Sequence, residues 1–447
     1  QEIEDVPAFE PVTKFNATID DVERFPDMLE QAYRNAVSGC PGPVHLQFQG
    51  NEGQIDLEEG NLEPITDMRF DSIPPFRPQA EKKDIERALD LLQQAERPVI
   101  VSGGGVKHSK AGPQLLKLAE SLRIPVATSL NGKDTFLANH PLSAGVVGTY
   151  SRGSANRVVS EADLICFIGS KTGGMTTHFW QVPPIGSNAI QIDIDPEAIG
   201  RNYTLKAAVQ GDARSALEVM ISLMDPSTAT LRDRWNQQVK EFVDSWYAEY
   251  DHLLKSDATP IRPERLCNDL TRLLPDDSLV VVDTGHAGMW MGGMFDVTST
   301  SQNYVRSAGH LGWAFPAGLG AKCALPERPV VCFTGDAGFW YHIAEIETAV
   351  RWNINSITLV NNNSAGNQSK TGFDKAYGGT QTEQAKEIWN FTKVNFANIA
   401  NEIGALGIRV EKPGDFNSAL DQALSANRPV IIDVVTDVDA IAPIAVT

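Results

Sequence analysis

One short stretch of this sequence carries a carboxylate at one end and a run of amides at the other. Pro329–Phe333 is an apolar run of strand length, and Thr334–Gly335–Asp336–Ala337–Gly338 follows it directly. The pattern predicts a helix over 343–352 and a second strand over 356–360, ended by Asn361–Asn362–Asn363–Ser364–Ala365–Gly366. A strand–helix–strand crossover brings both strand ends to the same sheet edge. Asp and Asn oxygens meeting there suit a hard divalent cation. Mg²⁺ takes oxygen ligands, usually one or two of them carboxylates, and completes its shell with a ligand's phosphates. Gly335 and Gly338 keep the loop slim where a diphosphate would approach. Gly-Asp-Ala alone is better read as a turn. The asparagines at the next strand end move the reading toward a cation site.

The elements that position these groups alternate helix and strand. Residues 80–226 predict helices over 85–94, 115–122 and 214–224, and strands over 98–102, 125–129, 163–169 and 189–195. Residues 261–447 repeat the alternation. Strands are expected over 279–283, 329–333, 356–360 and 429–435, and helices over 262–274, 343–352, 396–403 and 416–424. Short apolar runs between amphipathic helices imply consecutive three-layer α/β/α domains with mainly parallel sheets. Such sheets place ligands at the carboxyl ends of their strands. A polar, mostly helical connector over 225–260 separates the two segments, and a proline-bearing linker over 71–78 precedes the first. Residues 1–55 show one helix, 22–37, and one strand, 44–48, too little for a core. They read as the C-terminal remnant of a further domain.

Gly335–Asp336–Ala337 followed by Asn362–Asn363 resembles the fingerprint of thiamine-diphosphate enzymes. Four stretches, in order, resemble the acetolactate synthase-like branch of that family: Pro41–Gly42–Pro43–Val44–His45–Leu46, Gly103–Gly104–Gly105, Gln191–Ile192–Asp193–Ile194–Asp195–Pro196, and the run from Gly309 to Ala317. The resemblance spans essentially the whole chain. It implies thiamine diphosphate and Mg²⁺ as cofactors. Asp336 and the Asn363 side chain would be the cation ligands, with the Ala365 backbone oxygen as a third and Asn362 as the neighbouring alternative to Asn363. It further implies that Gly285, His286 and Ala287 meet the diphosphate. Gly309 and Leu311 would lie against the cofactor, Leu311 as the apolar support beneath its bend, and Gly335, Ala337 and Gly338 would line the same site. The activity implied is that of a carboligase, lyase or decarboxylase acting on a 2-oxo acid or related carbonyl compound. The alternative is a non-catalytic cofactor- or nucleotide-binding protein that kept the fold. The family's activating glutamate lies early in its pyrimidine-binding domain. In the resemblance this chain starts after that point, so the catalytic carboxylate is expected outside it, on a preceding segment or a separate chain. A homodimer or homotetramer follows from a cofactor held between subunits.

Composition narrows the partners. Net charge is −19, which repels nucleic-acid phosphates, so none is expected as a partner. No apolar run reaches the ~18–20 residues of a membrane helix, and no membrane partner is expected. Five cysteines without metal-ligand spacing suggest a reducing, cytoplasmic setting. Flavin-binding members of the resembling family carry an arginine-bearing loop where this chain has Ser170–Lys171–Thr172–Gly173–Gly174–Met175. The purified protein is therefore expected to lack flavin absorbance. A yellow preparation with near-stoichiometric FAD would overturn this.

Overall fold

Eight runs rich in β-branched and aliphatic residues form the buried centres of two sheets. In the computed structural model, which describes residues 3–48, 60–61, 63 and 67–443, the strands are β1 Phe15–Ile19, β2 Val44–Phe48, β3 Pro98–Ser102, β4 Val126–Thr128, β5 Ser143–Val146, β6 Leu164–Ile168 and β7 Ala189–Asp193. They continue as β8 Leu205–Gln210, β9 Leu279–Val282, β10 Asn303–Arg306, β11 Val330–Gly335, β12 Ile357–Asn362, β13 Leu406–Val410 and β14 Val430–Val435. Among the described residues they form a two-stranded sheet β1-β2 and two six-stranded sheets, β5-β4-β3-β6-β7-β8 and β10-β9-β11-β12-β14-β13. All pairings in these sheets are parallel. Helices cover both faces of each six-stranded sheet and give each face its own apolar core.

The eight strands expected in these two sheets are their eight inner ones. The four missed strands, β5, β8, β10 and β13, are the four edges. An inner strand such as β3 or β6 is buried along its whole length, whereas β8 alternates and β13 is mostly half-exposed. Edge strands therefore lack the continuous apolar run that marks an inner parallel strand.

Two further expectations need correction. Residues 1–55 hold a second strand, β1, whose Phe15 pairs with Val44 of β2; residues 1–2 and 49–55 lie outside the described ones. The helix expected over 22–37 opens as a tight 3-10 turn, Val22–Arg24, and becomes α-helical at Phe25–Val37, with Pro26 in its first turn. The polar connector is helical as expected: its 22-residue helix, Asp233–Leu254, buries Trp235, Val239, Phe242 and Trp246. Its polar composition belongs to the outer face, and its large aromatic residues tie it to both sheets' cores.

The two α/β units meet through buried polar groups. Lys133, on the 3-10 segment Leu130–Thr135, is buried and donates to the Gly292 carbonyl at 2.9 Å. Burial, and then the neighbouring Arg152 charge, push its amine down to about 7. The folded chain thus releases this proton at lower pH than the unfolded chain, whose lysine titrates near ~10.4. Between these values the unfolded state binds more protons, so this group's contribution to stability rises with pH and is lost as pH falls through about 7. Lys133→Met should remove that dependence. Its melting temperature relative to the parent should be highest near neutrality and decline toward pH ~10, read by thermal denaturation across that range. A flat difference would contradict the assignment.

Candidate functional site

The carboxyl ends of β9, β11 and β12 converge on a cavity of about 780 Å³. Asp336 begins the short helix Asp336–Trp340 directly after β11. Its Oδ1 accepts from its neighbour Ala337 N–H at 2.9 Å, and its Oδ2 from Ala365 N–H at 3.2 Å. Burial pushes this carboxyl up to about 7, against the lowering effect of those N–H donors. Asn363 Oδ1 accepts from the same Ala365 N–H at 3.1 Å. Asp336, Asn363 and the Ala365 backbone therefore meet at one point of the cavity wall.

β12 runs on through Asn362, so two of the three asparagines belong to the strand itself. Side chains alternate along a strand. Asn361 and Asn363 line the cavity. Asn362 points the other way, donating to Asp433 Oδ1 at 2.8 Å and to the Val394 carbonyl at 3.0 Å. The alternation decides between the two candidates: Asn363 faces Asp336, and Asn362 braces β14. The helix between β11 and β12 that carries this crossover is shorter than expected, Glu345–Arg351.

Asp283, which the sequence pattern places at the end of a strand, is the residue after β9. It is 1% exposed, and its carboxylate gathers donors from three segments. Gly312 N–H donates at 2.9 Å, the Thr334 hydroxyl at 2.7 Å and Thr284 N–H at 2.9 Å. Burial raises its carboxyl from the ordinary range, while these hydrogen bonds lower it. Gly312 adopts φ +83, and a Cβ at Gly338 would lie 2.5 Å from the Asp283 carboxylate. The Asp283 carboxylate thus holds the loop that presents Leu311. An acidic residue closing a fully apolar strand was the available signal, because a buried carboxylate needs partners.

Leu311 lies on the cavity wall at 37% exposure, so it is not ordinary core. Gly285, His286 and Ala287 line the same cavity, at the start of the buried helix His286–Gly293. Burial lowers the His286 imidazole to about 4, which leaves it neutral near pH 7. Gly335, Ala337 and Gly338 also line the wall. Gly309 does not; it supplies a turn at φ +143 two residues before Leu311.

Residues 85–220 match the family described as thiamine pyrophosphate enzyme, central domain, and residues 283–434 match its C-terminal TPP binding domain. Over 98% of its length the chain is 30% identical to a probable acetolactate synthase large subunit of Methanococcus aeolicus, covering 74% of that protein. It is similarly 30% identical to the counterpart from Methanocaldococcus jannaschii, covering 74% of it. Against glyoxylate carboligase of Escherichia coli O157:H7 it is 30% identical over 96% of the chain and 73% of the relative. The chain belongs to the thiamine pyrophosphate enzymes. Within them it is of the acetolactate synthase type.

The second cavity of this thiamine pyrophosphate enzyme, about 330 Å³, lies in the central domain at the ends of β3, β6 and β7. Gly103–Gly104–Gly105 lines it together with Lys171 and Asp193. Two of these glycines have a packing reason. A Cβ at Gly103 would fall 2.1 Å from the Gly169 carbonyl oxygen, and one at Gly105 2.6 Å from the Gly169 Cα. Lys171 stands in the Ser170–Met175 loop, which carries no arginine, and it pairs with Asp195 at 3.2 Å.

The geometry separates three variants in the main cavity. Asn363→Ala should weaken cation-dependent cofactor binding without lowering the melting temperature of the cofactor-free protein. Asn362→Ala should do the reverse, because it leaves the buried Asp433 Oδ1 without its donor, while Oδ2 keeps Phe396 N–H and Arg409, at a cost of about 1–3 kcal/mol. Asp283→Asn should loosen the Leu311 loop and speed amide exchange over residues 309–312. Calorimetry, thermal melts and hydrogen-exchange mass spectrometry read these outcomes. Interchanged phenotypes for Asn362 and Asn363 would refute the alternation.

Proposed function

We propose that the chain is a thiamine-diphosphate- and Mg²⁺-dependent enzyme that makes or breaks a carbon–carbon bond next to the carbonyl of a 2-oxo acid. One observation carries the cation. Two carboxylates, Asp283 and Asp336, line the main cavity, and among the lining residues there is neither lysine nor arginine, with His286 neutral. A diphosphate cannot be held by side-chain charge there. A divalent cation on the Asp336 carboxylate, the Asn363 amide oxygen and the Ala365 carbonyl would supply the missing positive charge, leaving the remaining positions to phosphate and water. The donor set fits: it is all oxygen, with one carboxylate.

Gly285 and the first turn of the helix His286–Gly293 would meet the diphosphate with backbone N–H groups and the positive end of the helix dipole. The neutral His286 imidazole can exchange a hydrogen bond there without competing for the cation. Leu311, next to Gly285 on the cavity wall, adds an apolar surface that would exclude water from the reacting end. Thiamine diphosphate, when bound, supplies the electron sink that such a reaction requires. The chain's own residues supply binding, orientation and a dry surface.

The rim supports assembly. Leu311, Trp340, Tyr341 and Ile388 line the cavity and are exposed, a large apolar border for a single chain to leave uncovered. We assign that border to a second copy, in a homodimer or homotetramer, or to a separate chain that also provides the activating carboxylate. No helix among the described residues is long and apolar enough to cross a membrane. The five cysteines are free, which supports a reducing, cytoplasmic setting.

Asp336→Ala should abolish retention of thiamine diphosphate in Mg²⁺ and leave the far-UV circular dichroism unchanged, and EDTA should do the same to the parent. Undiminished binding by the variant in EDTA would sink the site. The assembled enzyme with pyruvate or glyoxylate should release carbon dioxide or form a larger hydroxy-oxo acid. Binding without any such turnover would favour the non-catalytic reading.

A further inference from the structure

The helix His286–Gly293 has two ends with different surroundings. Its first residues line the cofactor cavity. Its last carbonyls have no intrahelical partner, as at any helix C-terminus, and they are met by two basic side chains from the central domain. Lys133 Nζ donates to the Gly292 carbonyl at 2.9 Å, and Arg152 Nε donates to the Gly293 carbonyl at 2.6 Å. Cations at this end also complement the helix dipole.

The rest of the Arg152 guanidinium is fully engaged. It pairs with Asp296 at 2.7 Å and donates to the Tyr247 hydroxyl at 3.0 Å, which itself donates to Asp296 at 2.9 Å. Its plane lies over the Trp246 ring, 4.3 Å from the centroid. Trp246 and Tyr247 belong to the connecting helix Asp233–Leu254. Arg152 therefore knots the central domain, the connecting helix and the cofactor-binding domain at one point.

We propose that Arg152, with Lys133, is a positioning residue for the cofactor: it fixes the far end of the helix His286–Gly293 and thereby places the backbone that meets the diphosphate. Three observations make the helix a stiff transmitter. It is eight residues long, about 12 Å at 1.5 Å per residue. Every residue from Ala287 to Gly293 is buried. It also has no slack against its neighbours: a Cβ at Gly292 would lie 2.9 Å from the Tyr150 carbonyl oxygen, and one at Gly288 2.9 Å from that of Asp283. A shift at Gly293 is therefore felt at Gly285 and at Asp283. The seating of the central domain then sets the affinity of a cofactor it does not touch.

The inference rests on the cofactor reading above, and its test has an arm that does not. Arg152→Met alone would take the counter-charge from the partly buried Asp296, so the main variant is Arg152→Met with Asp296→Asn. Lys133→Met and Arg152→Lys accompany it. Hydrogen-exchange mass spectrometry of the cofactor-free proteins should show faster exchange over residues 286–293 in the double variant, and less acceleration in Arg152→Lys. Titration with thiamine diphosphate and Mg²⁺, followed by tryptophan fluorescence, should show binding weakened by about 10²-fold in the double variant, the scale for a misplaced binding group. Lys133→Met should follow with a smaller loss, and Arg152→Lys should recover part of it. Should the double variant fail to fold, the two single variants carry the same comparison. Unaltered exchange in the folded variants would overturn the anchoring. Faster exchange with unchanged affinity would overturn the positioning role and leave a purely structural knot. A parent that binds no thiamine diphosphate would fail the functional reading instead, with the exchange result still deciding the anchoring.

Discussion

A single buried carboxylate holds the site's framework together. Asp283 receives hydrogen bonds from the loop carrying Leu311, from Thr334 at the end of β11 and from the amide of Thr284. Removing a carboxylate from water is costly unless it is fully hydrogen-bonded. The donors must therefore stay where they are for the charge to remain buried. Asp336 follows Thr334 by two residues, so its position is set by the same restraint, and so is the wall that Leu311 forms. The parallel sheet makes this possible, because it brings the ends of β9 and β11 side by side.

Charge is distributed unevenly around this centre. The cavity wall carries two carboxylates and neither lysine nor arginine. The nearby basic groups, Lys133 and Arg152, stand behind the wall, at the opposite end of the helix that faces it. Under the proposed function, a cavity built this way takes its diphosphate together with a cation. The buried lysine and arginine contribute geometry from the domain interface and leave the wall itself free of positive side chains.

The sequence showed most of the fold because most of its strands are inner strands. A parallel strand covered on both faces must be apolar throughout, and that run is readable without any neighbour. The edge strands β5, β8, β10 and β13 are covered incompletely, so their residues are mixed and their runs vanish into the surrounding loops. The connecting segment was legible as a helix, but its buried face was not, for a related reason. Its surface is polar and its buried stripe is aromatic, and only packing reveals which side matters.

By itself the sequence determined which residues would gather: a carboxylate after one strand, amides after the next, and Gly285–His286–Ala287 after a third. Order along the chain and right-handed crossover are enough to bring strand ends to one edge. It did not determine which asparagine faces inward. That followed from β12 extending to Asn362, which fixed the alternation and turned that residue toward Asp433. It could not reveal Asp283 as a hub, because its donors come from Gly312 and Thr334, 29 and 51 residues away. Nor could it show that Lys133 and Arg152 cap a helix more than 130 residues distant. Hydrogen bonds between remote segments leave no periodic trace in a sequence, and only the packed chain decides them.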